Sequence, residues 1–196
     1  MKDSEITVIS TGPGAEDMIT IRALNAIKEQ DIIVGMDSAV KTFAKGLNCY
    51  IPEKMLTDTI DFINTCVYQK VGVLVSGDAG FFSLAKTISE KYDNVTIIPG
   101  VSSVSAGFSL LKKQWGGFEF HSAHGRELFD HEITRPAVIL CDAENTPDKV
   151  LEKHPYMRSR FKITILKDVT LQNEHVFHSP QKGYNSSRLL LILEDK

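Results

Sequence analysis

The sequence predicts an α/β fold made of two α/β domains. In the first half of the 196-residue chain, short apolar runs alternate with segments of helical periodicity, which is typical of a largely parallel sheet with helices on its faces. After Trp115-Gly116-Gly117, strand-like segments follow one another with less helix between them, which favours a mixed sheet. We therefore expect an N-terminal domain over residues 1–114 and a C-terminal domain over residues 115–196.

The first predicted unit is a strand, a helix and a second strand. An apolar run over residues 6–9 predicts a short buried strand that ends in a glycine-rich turn. The helix behind it is expected to begin after Thr20, whose hydroxyl can cap it, and apolar residues then recur every three or four positions. The next strand covers residues 32–34 and ends at Gly35.

The same alternation continues along the chain. In the N-terminal half it predicts a helix over residues 58–68, a strand over 71–75, a helix over 82–91 and a strand over 95–98. In the C-terminal half it predicts strands over residues 118–122, 137–141, 161–166, 174–178 and 188–193.

Composition narrows the class of partner. The net charge is −3 and lysine and arginine are scattered, so the sequence offers no basic stripe for nucleic acid and no polybasic membrane patch. Cys49, Cys66 and Cys141 are odd in number and widely spaced, which argues against disulfides and favours a reducing cytoplasm. No apolar stretch approaches the roughly 20 residues of a membrane span. We expect a cytoplasmic protein whose partner is a small molecule or another protein.

Three glycine-containing turns each follow a predicted strand and precede a predicted helix. In a parallel sheet all three would lie at the edge where open α/β sheets bind ligands, although each turn alone can also be ordinary loop punctuation. The first turn lacks the third glycine of a dinucleotide fingerprint and the Gly-Lys-Ser/Thr of a phosphate-binding loop. The carboxylate of Asp78 favours a cationic or hydroxyl-bearing ligand. The turns are Gly12-Pro13-Gly14, Gly77-Asp78-Ala79-Gly80 and Pro99-Gly100-Val101-Ser102-Ser103.

In this order the three turns resemble the tetrapyrrole methyltransferase family. Its members open with a strand and Gly-x-Gly-Pro-Gly, carry Gly-Asp-Pro in the middle, and then Pro-Gly-Ile/Val-Ser-Ser. The matching stretches here are "STGPGAEDMITIRALNAI", "VSGDAGFFSLAKTI" and "IIPGVSSVSA", which span about the first half of the chain. Two positions depart from the pattern: Ser10 replaces the first glycine and Ala79 replaces the proline of Gly-Asp-Pro.

The resemblance implies a methyltransferase that uses S-adenosyl-L-methionine as methyl donor, in a cleft between its two domains. It also implies a tetrapyrrole or corrinoid substrate and a homodimer. For Phe82, packing in the core is the favoured interpretation. The residues implied to contact the cofactor are Gly12, Pro13, Gly77, Asp78, Phe81, Ser102 and Ser103.

A fourth stretch, "SAHGR", resembles the Ser-Leu-His-Gly-Arg of the family branch that methylates C5 of cobalt-precorrin-7 in cobalamin (vitamin B12) biosynthesis. "ILCDAENTPDKV" resembles a second segment of that branch. Ser122, His124 and Arg126 would then contact substrate. We expect His124 to accept a proton, since imidazole titrates near neutrality, and Arg126 to pair with a substrate carboxylate. A structural turn histidine and a surface salt bridge remain the alternatives.

No metal bound by the protein is expected, because His121, His124 and Cys141 do not form a complete ligand set. Any cobalt would arrive inside the substrate. Two other functions remain open. One is a methyltransferase of the same fold that acts at another ring position or on another substrate. The other is a non-catalytic corrinoid-binding protein, which would bind tetrapyrrole without S-adenosylmethionine.

Overall fold

The structure is a computed structural model that describes residues 4–181 and 183–196. It contains two compact units, one that ends at Ser103 and one that begins at Val104. Each unit holds a five-stranded sheet, so the expected α/β class with two sheets is confirmed. The domain boundary expected between residues 114 and 115 stays a prediction.

The first unit is built on a parallel sheet with strand order β3-β2-β4-β1-β5. Strands β1 and β4 form its centre, with Ile6 opposite Val71 and Ser10 opposite Val75. The strands are β1 (Glu5–Ser10), β2 (Ile32–Val34), β3 (Cys49–Tyr50), β4 (Lys70–Val75) and β5 (Val95–Ile98). The helices are α1 (Ile21–Lys28), α2 (Asp37–Phe43), α3 (Thr57–Thr65) and α4 (Ala85–Lys91).

Apolar side chains cover both faces of this sheet. On one face, Val8 and Val73 pack with residues of α3 and α4, while on the other Ile9 and Leu74 pack with residues of α1 and α2. Neighbouring residues of one strand therefore enter opposite cores, as the two-residue period of a strand requires. Burial on both faces explains why these strands are continuous apolar runs and why they are recognisable from sequence.

The second unit contains a mixed sheet with strand order β6-β7-β10-β8-β9. The pair β6 and β7 is parallel and the other three pairs are antiparallel. One buried cluster, which includes Ile139, Leu151, Phe161 and Leu191, forms its core. The elements are α5 (Ser103–Leu110), β6 (Glu119–Ser122), β7 (Ala137–Cys141), α6 (Pro147–Lys153), α7 (Tyr156–Arg160), β8 (Phe161–Lys167), β9 (His175–Phe177) and β10 (Leu189–Asp195).

Two predicted helices differ from the structure at their ends. The helix expected from residue 82 begins at Ala85, because Phe82 has a φ of 50°, outside the range of a right-handed helix. The helix expected to reach residue 68 ends at Thr65, because Cys66 is extended with a ψ of 154°. The predicted cap of α1 is confirmed, since the Thr20 hydroxyl accepts the N–H of Ala23 at 3.1 Å.

Within the described part of the chain, none of the helices combines the length and the apolar character that crossing a bilayer requires.

Candidate functional site

The first two glycine-containing turns lie directly against each other at the carboxyl ends of β1 and β4. The N–H of Gly77 donates to the carbonyl of Gly12 at 2.7 Å, and the N–H of Gly12 donates to the carbonyl of Gly77 at 3.2 Å. Both residues are left-handed, with φ values of 77° and 72°. A side chain at Gly12 would also place its Cβ 2.6 Å from the carbonyl oxygen of Met18. Glycine is therefore required at position 12 for two separate reasons.

The third turn packs against the other two. A Cβ at Gly100 would lie 2.5 Å from the Cβ of Ser10 and 3.0 Å from the carbonyl oxygen of Gly77. A Cβ at Gly77 would lie 4.0 Å from the Cα of Ser102. The expected meeting of the three turns at one sheet edge is therefore present in the first unit.

The two positions that depart from the family pattern are in contact with each other. Ser10 is fully buried, and its hydroxyl oxygen accepts the N–H of Ala79 at 2.8 Å. Ala79 itself is 3% exposed and belongs to the core formed with α3 and α4. The neighbouring Thr11 donates its hydroxyl to the carbonyl of Val75 at 3.1 Å. Two consecutive hydroxyls thus connect the end of β1 to the end of β4 and to the turn that follows it.

Asp78 is the acidic residue of the second turn, and two aromatic residues follow this turn. It is half-buried, and its Oδ1 accepts the N–H of Gly80 at 2.6 Å, while its carbonyl accepts the N–H of Phe81 at 3.0 Å. The rings of Phe81 and Phe82 meet edge to face with centroids 4.8 Å apart. Phe82 is 40% exposed, so its expected place in the core is wrong. Its backbone is left-handed, with a φ of 50°, so it does not belong to the helix that follows.

The remaining residues that the resemblance assigned to the cofactor belong to the same turns. Pro13 is buried next to Gly12. Ser102 is half-buried, and Ser103 is the first residue of α5. The fold of the first unit thus brings these seven residues to one sheet edge. Their contact with a cofactor stays a prediction.

In the second unit, the stretch from Ser122 to Arg126 leaves the end of β6. Ser122 is the last residue of β6 and pairs with Leu140, and the N–H of Ala123 donates to the Leu140 carbonyl at 2.8 Å. The chain then turns at Gly125, which has a φ of 60°. His124 and Arg126 are exposed on either side of this glycine. The three predicted substrate residues therefore lie on one strand end and one turn.

Asp142 and Asn145 hold this turn in place, and sequence reasoning did not identify them as site residues. The Oδ2 of Asp142 accepts the N–H of Gly125 at 2.7 Å, and its Oδ1 accepts the N–H groups of Glu144 and Asn145 at 2.9 and 2.6 Å. The side-chain amide of Asn145 donates to the carbonyls of Ala123 and Arg126 at 2.8 and 2.7 Å. We call this arrangement the Asp142–Asn145 clamp.

Asp142 is the charged member of the clamp. Burial raises its pKa, but the N–H groups of Asn145, Gly125 and Glu144 outweigh burial and bring the pKa below its ordinary value. The carboxylate lies 3.9 Å from Nδ1 of His124, whose side chain is 57% exposed. The clamp therefore places a carboxylate next to the exposed imidazole of His124. The sequence did contain a signal for the clamp, because "ILCDAENTPDKV" places both residues just after a strand.

The residues considered as metal ligands lie in different surroundings. Cys141 is buried in the core of the second unit, and burial raises the pKa of its thiol. Nδ1 of His121 lies 3.3 Å from Nε2 of His131, and Phe129 stacks on His131. Across residues 4–181 and 183–196, we find no group of three or more histidine, cysteine, aspartate or glutamate side chains arranged to hold a metal.

Several known proteins are similar to this chain in sequence or in fold. The family described as Tetrapyrrole (Corrin/Porphyrin) Methylases matches residues 5–182. A probable cobalt-precorrin-7 C(5)-methyltransferase of Methanocaldococcus jannaschii is 23% identical, over 87% of this chain and 87% of that protein. A cobalt-precorrin-4 C(11)-methyltransferase of the same organism is 32% identical, over 76% of this chain and 57% of that protein.

A solved structure with the same fold contains a relevant ligand. It is the uroporphyrin-III C-methyltransferase of Thermus thermophilus complexed with S-adenosylhomocysteine. The TM-score is 0.71 and the sequence identity 16%, with 96% of this chain and 97% of that chain covered. At this identity the likeness shows the fold alone.

Proposed function

The chain belongs to the tetrapyrrole (corrin/porphyrin) methylase family and is a methyltransferase, and on this premise we propose that it transfers a methyl group from S-adenosylmethionine to C5 of cobalt-precorrin-7. The observation that carries the proposal is the meeting of the three turns at the sheet edge. Support for the ring position comes from the "SAHGR" stretch and from the similarity to the C(5)-methyltransferase over most of both chains.

The turns suit S-adenosylmethionine in shape and charge. A Cβ at the left-handed Gly77 would meet nothing nearer than the Cα of Ser102 at 4.0 Å, so this glycine leaves space in which a ligand can approach the backbone closely. Asp78 supplies a negative charge beside it, which complements a sulfonium and an ammonium group. Phe81 and Phe82 add apolar surface. Neither the turn sequence nor this charge favours a phosphate-rich cofactor.

S-adenosylmethionine supplies an electrophilic methyl, which passes to the substrate carbon as S-adenosylhomocysteine and a substrate proton are released. The protein needs no nucleophilic side chain for this displacement, and its main contribution is alignment of the two reactants. We assign the methyl-donor site to Gly12, Pro13, Gly77, Asp78, Phe81, Ser102 and Ser103. We assign the proton to His124, and one substrate carboxylate to Arg126, which can pair with it in a bidentate manner.

Calorimetric titration with S-adenosylmethionine and S-adenosylhomocysteine tests the cofactor site. Wild-type protein is expected to bind with micromolar affinity, or about −8 kcal/mol. Asp78→Ala is expected to lose most of this binding, whereas Asp93→Ala, an exposed aspartate before β5, keeps it. Equal binding by wild type and both variants would show that the donor site lies elsewhere.

Methylation at C11 of cobalt-precorrin-4 is the second candidate, because the relative with that activity is more identical in sequence, although the chain covers only 57% of it. Incubation with each corrinoid and labelled methyl donor, followed by NMR of the product, separates the two. A corrinoid-binding protein without turnover would bind tetrapyrrole and give no heat with S-adenosylmethionine.

We further propose a cytoplasmic homodimer, as the family resemblance implies. Light scattering at micromolar concentration tests the dimer.

A further inference from the structure

We propose that the Ser10 hydroxyl and the Ala79 N–H form a lock that holds the turns in the shape that binds the methyl donor, which makes Ser10 a positioning residue. The inference rests on the proposed function of these turns. The oxygen and nitrogen are 2.8 Å apart and join residues 69 positions apart in the chain. Ser10 is 0% exposed and Ala79 3% exposed, so the bond is shielded from water. Removing the acceptor of a buried N–H destabilises the folded state, because water cannot reach the N–H to take the acceptor's place.

Ser10, the last residue of β1, contacts both the second and the third turn. Its hydroxyl binds the turn that contains Asp78, and its Cβ occupies the space that a side chain at Gly100 would need, 2.5 Å away. A shift of Ser10 would therefore move the second and the third turn together. Ala79 is adjacent to Asp78, so the lock fixes the backbone next to the carboxylate assigned to the methyl donor.

The lock explains why the chain departs from the family pattern at two positions at once. Proline at position 79 would have no N–H to donate, and its Cδ would replace the hydrogen that points at the Ser10 oxygen. From the 2.8 Å bond, that carbon would lie less than about 2 Å from the oxygen, which is a severe overlap. Glycine at position 10 would remove the oxygen and make room for the proline ring.

Two combinations are therefore compatible: serine with alanine, as in this chain, and glycine with proline. In the first, a hydrogen bond restrains the turn that Ala79 alone leaves free. In the second, the fixed φ of proline provides the restraint. Serine at position 10 with proline at position 79 gives a steric clash, and glycine at position 10 with alanine at position 79 has no restraint. Ser10 and Ala79 thus form one coupled change rather than two separate ones.

A double-mutant cycle tests this coupling. Wild type, Ser10→Gly, Ala79→Pro and the double variant are titrated with S-adenosylhomocysteine, and their unfolding midpoints are measured in urea. Each single variant is expected to bind at least tenfold more weakly than wild type, and the double variant within about threefold of it. The proposal would be overturned if the affinity loss of the double variant equalled the product of the two single losses. It would also be overturned if all four proteins bound S-adenosylhomocysteine within twofold of one another.

Ser10→Ala keeps the test decisive if Ala79→Pro does not fold. It removes only the hydroxyl and leaves the Ala79 N–H without its acceptor, so binding is expected to weaken about tenfold. Unchanged binding by Ser10→Ala would refute the lock. If wild type does not bind either ligand, the proposed function fails, whereas the unfolding midpoints of the four proteins still report whether the two positions are coupled.

Discussion

Gly100→Ala is expected to disturb all three turns with a single methyl group. The new Cβ would lie 2.5 Å from the Cβ of Ser10 and 3.0 Å from the carbonyl oxygen of Gly77. Carbon atoms in contact are ordinarily 3.5–4.0 Å apart, so the overlap with Ser10 is about 1 Å. Gly100 is not left-handed, and alanine can adopt its backbone conformation. The effect would therefore come from crowding and not from backbone strain.

The magnitude follows from the cost of overpacking. An added methyl in a filled space costs about 1–3 kcal/mol, because neither Ser10 nor the Gly77 backbone can rotate away. If the turns move apart to relieve the overlap, ligand binding must bring them back together, and the free-energy cost of the overlap is then subtracted from the binding free energy. At 1.4 kcal/mol for each factor of ten, affinity for S-adenosylhomocysteine would fall by between about fivefold and about 140-fold.

Gly116→Ala is the matched control. Gly116 is exposed, is not left-handed, and has no described atom within 4 Å of the position of a Cβ. Both variants are titrated with S-adenosylhomocysteine and unfolded in urea. Gly116→Ala should match wild type in both measurements. The account of the three turns would be refuted if Gly100→Ala also matched wild type, since a methyl group would then fit where the structure leaves no room.

Three other changes test the remaining parts of the site. Gly12→Ala combines a left-handed backbone with a Cβ 2.6 Å from the Met18 carbonyl, so both stability in urea and S-adenosylhomocysteine binding should fall; unchanged binding would contradict the role of this turn. Asp142→Ala removes an acceptor of three N–H groups and should lower the free energy of unfolding by at least about 2 kcal/mol and reduce turnover, while donor affinity stays within about twofold. Full turnover would argue against the clamp. Burial and, to a smaller extent, the charge of His131 lower the pKa of His121 below its usual 6.5. Near and below pH 6.5 the unfolded chain therefore binds more protons than the folded chain. Stability is then lost as the pH falls through 6.5 towards the pKa of the folded state. The melting temperature should therefore drop between about pH 7.5 and about pH 5.5, and by less in His121→Asn; an equal drop would show that His121 is not the cause.

The strands were largely predictable because each carries its own pattern. The buried runs of β1, β4, β7 and β10 are continuous stretches of apolar residues, and the sequence placed all four within two residues of their ends. Strand β3 has only two residues and α7 only five, which is too short for a period to appear. Helix α6 was not predicted, although a capping Thr146 followed by Pro147 is a helix-start signal that the sequence contains.

The site was predictable in part. Glycine, proline and serine at the ends of successive strands mark turns, and a parallel sheet brings such turns to one edge, so the position of the candidate methyl-donor site could be inferred from the sequence. His124 and Arg126 stood out because of the stretch that contains them. Asp142 and Asn145 did not, because their role depends on a turn about 20 residues away that only the pairing of β6 with β7 brings close.

The sequence by itself determined the class of fold, the order of the strands along the chain and the residues that end them, because these follow from local periodicity and turn chemistry. Only the tertiary structure decided which side chains meet. The hydroxyl of Ser10 reaches the N–H of Ala79 because β1 and β4 are parallel neighbours, and Gly100 must be small because Ser10 fills the adjacent space. Such contacts depend on distances between residues remote in the chain, and local sequence patterns carry no record of those distances.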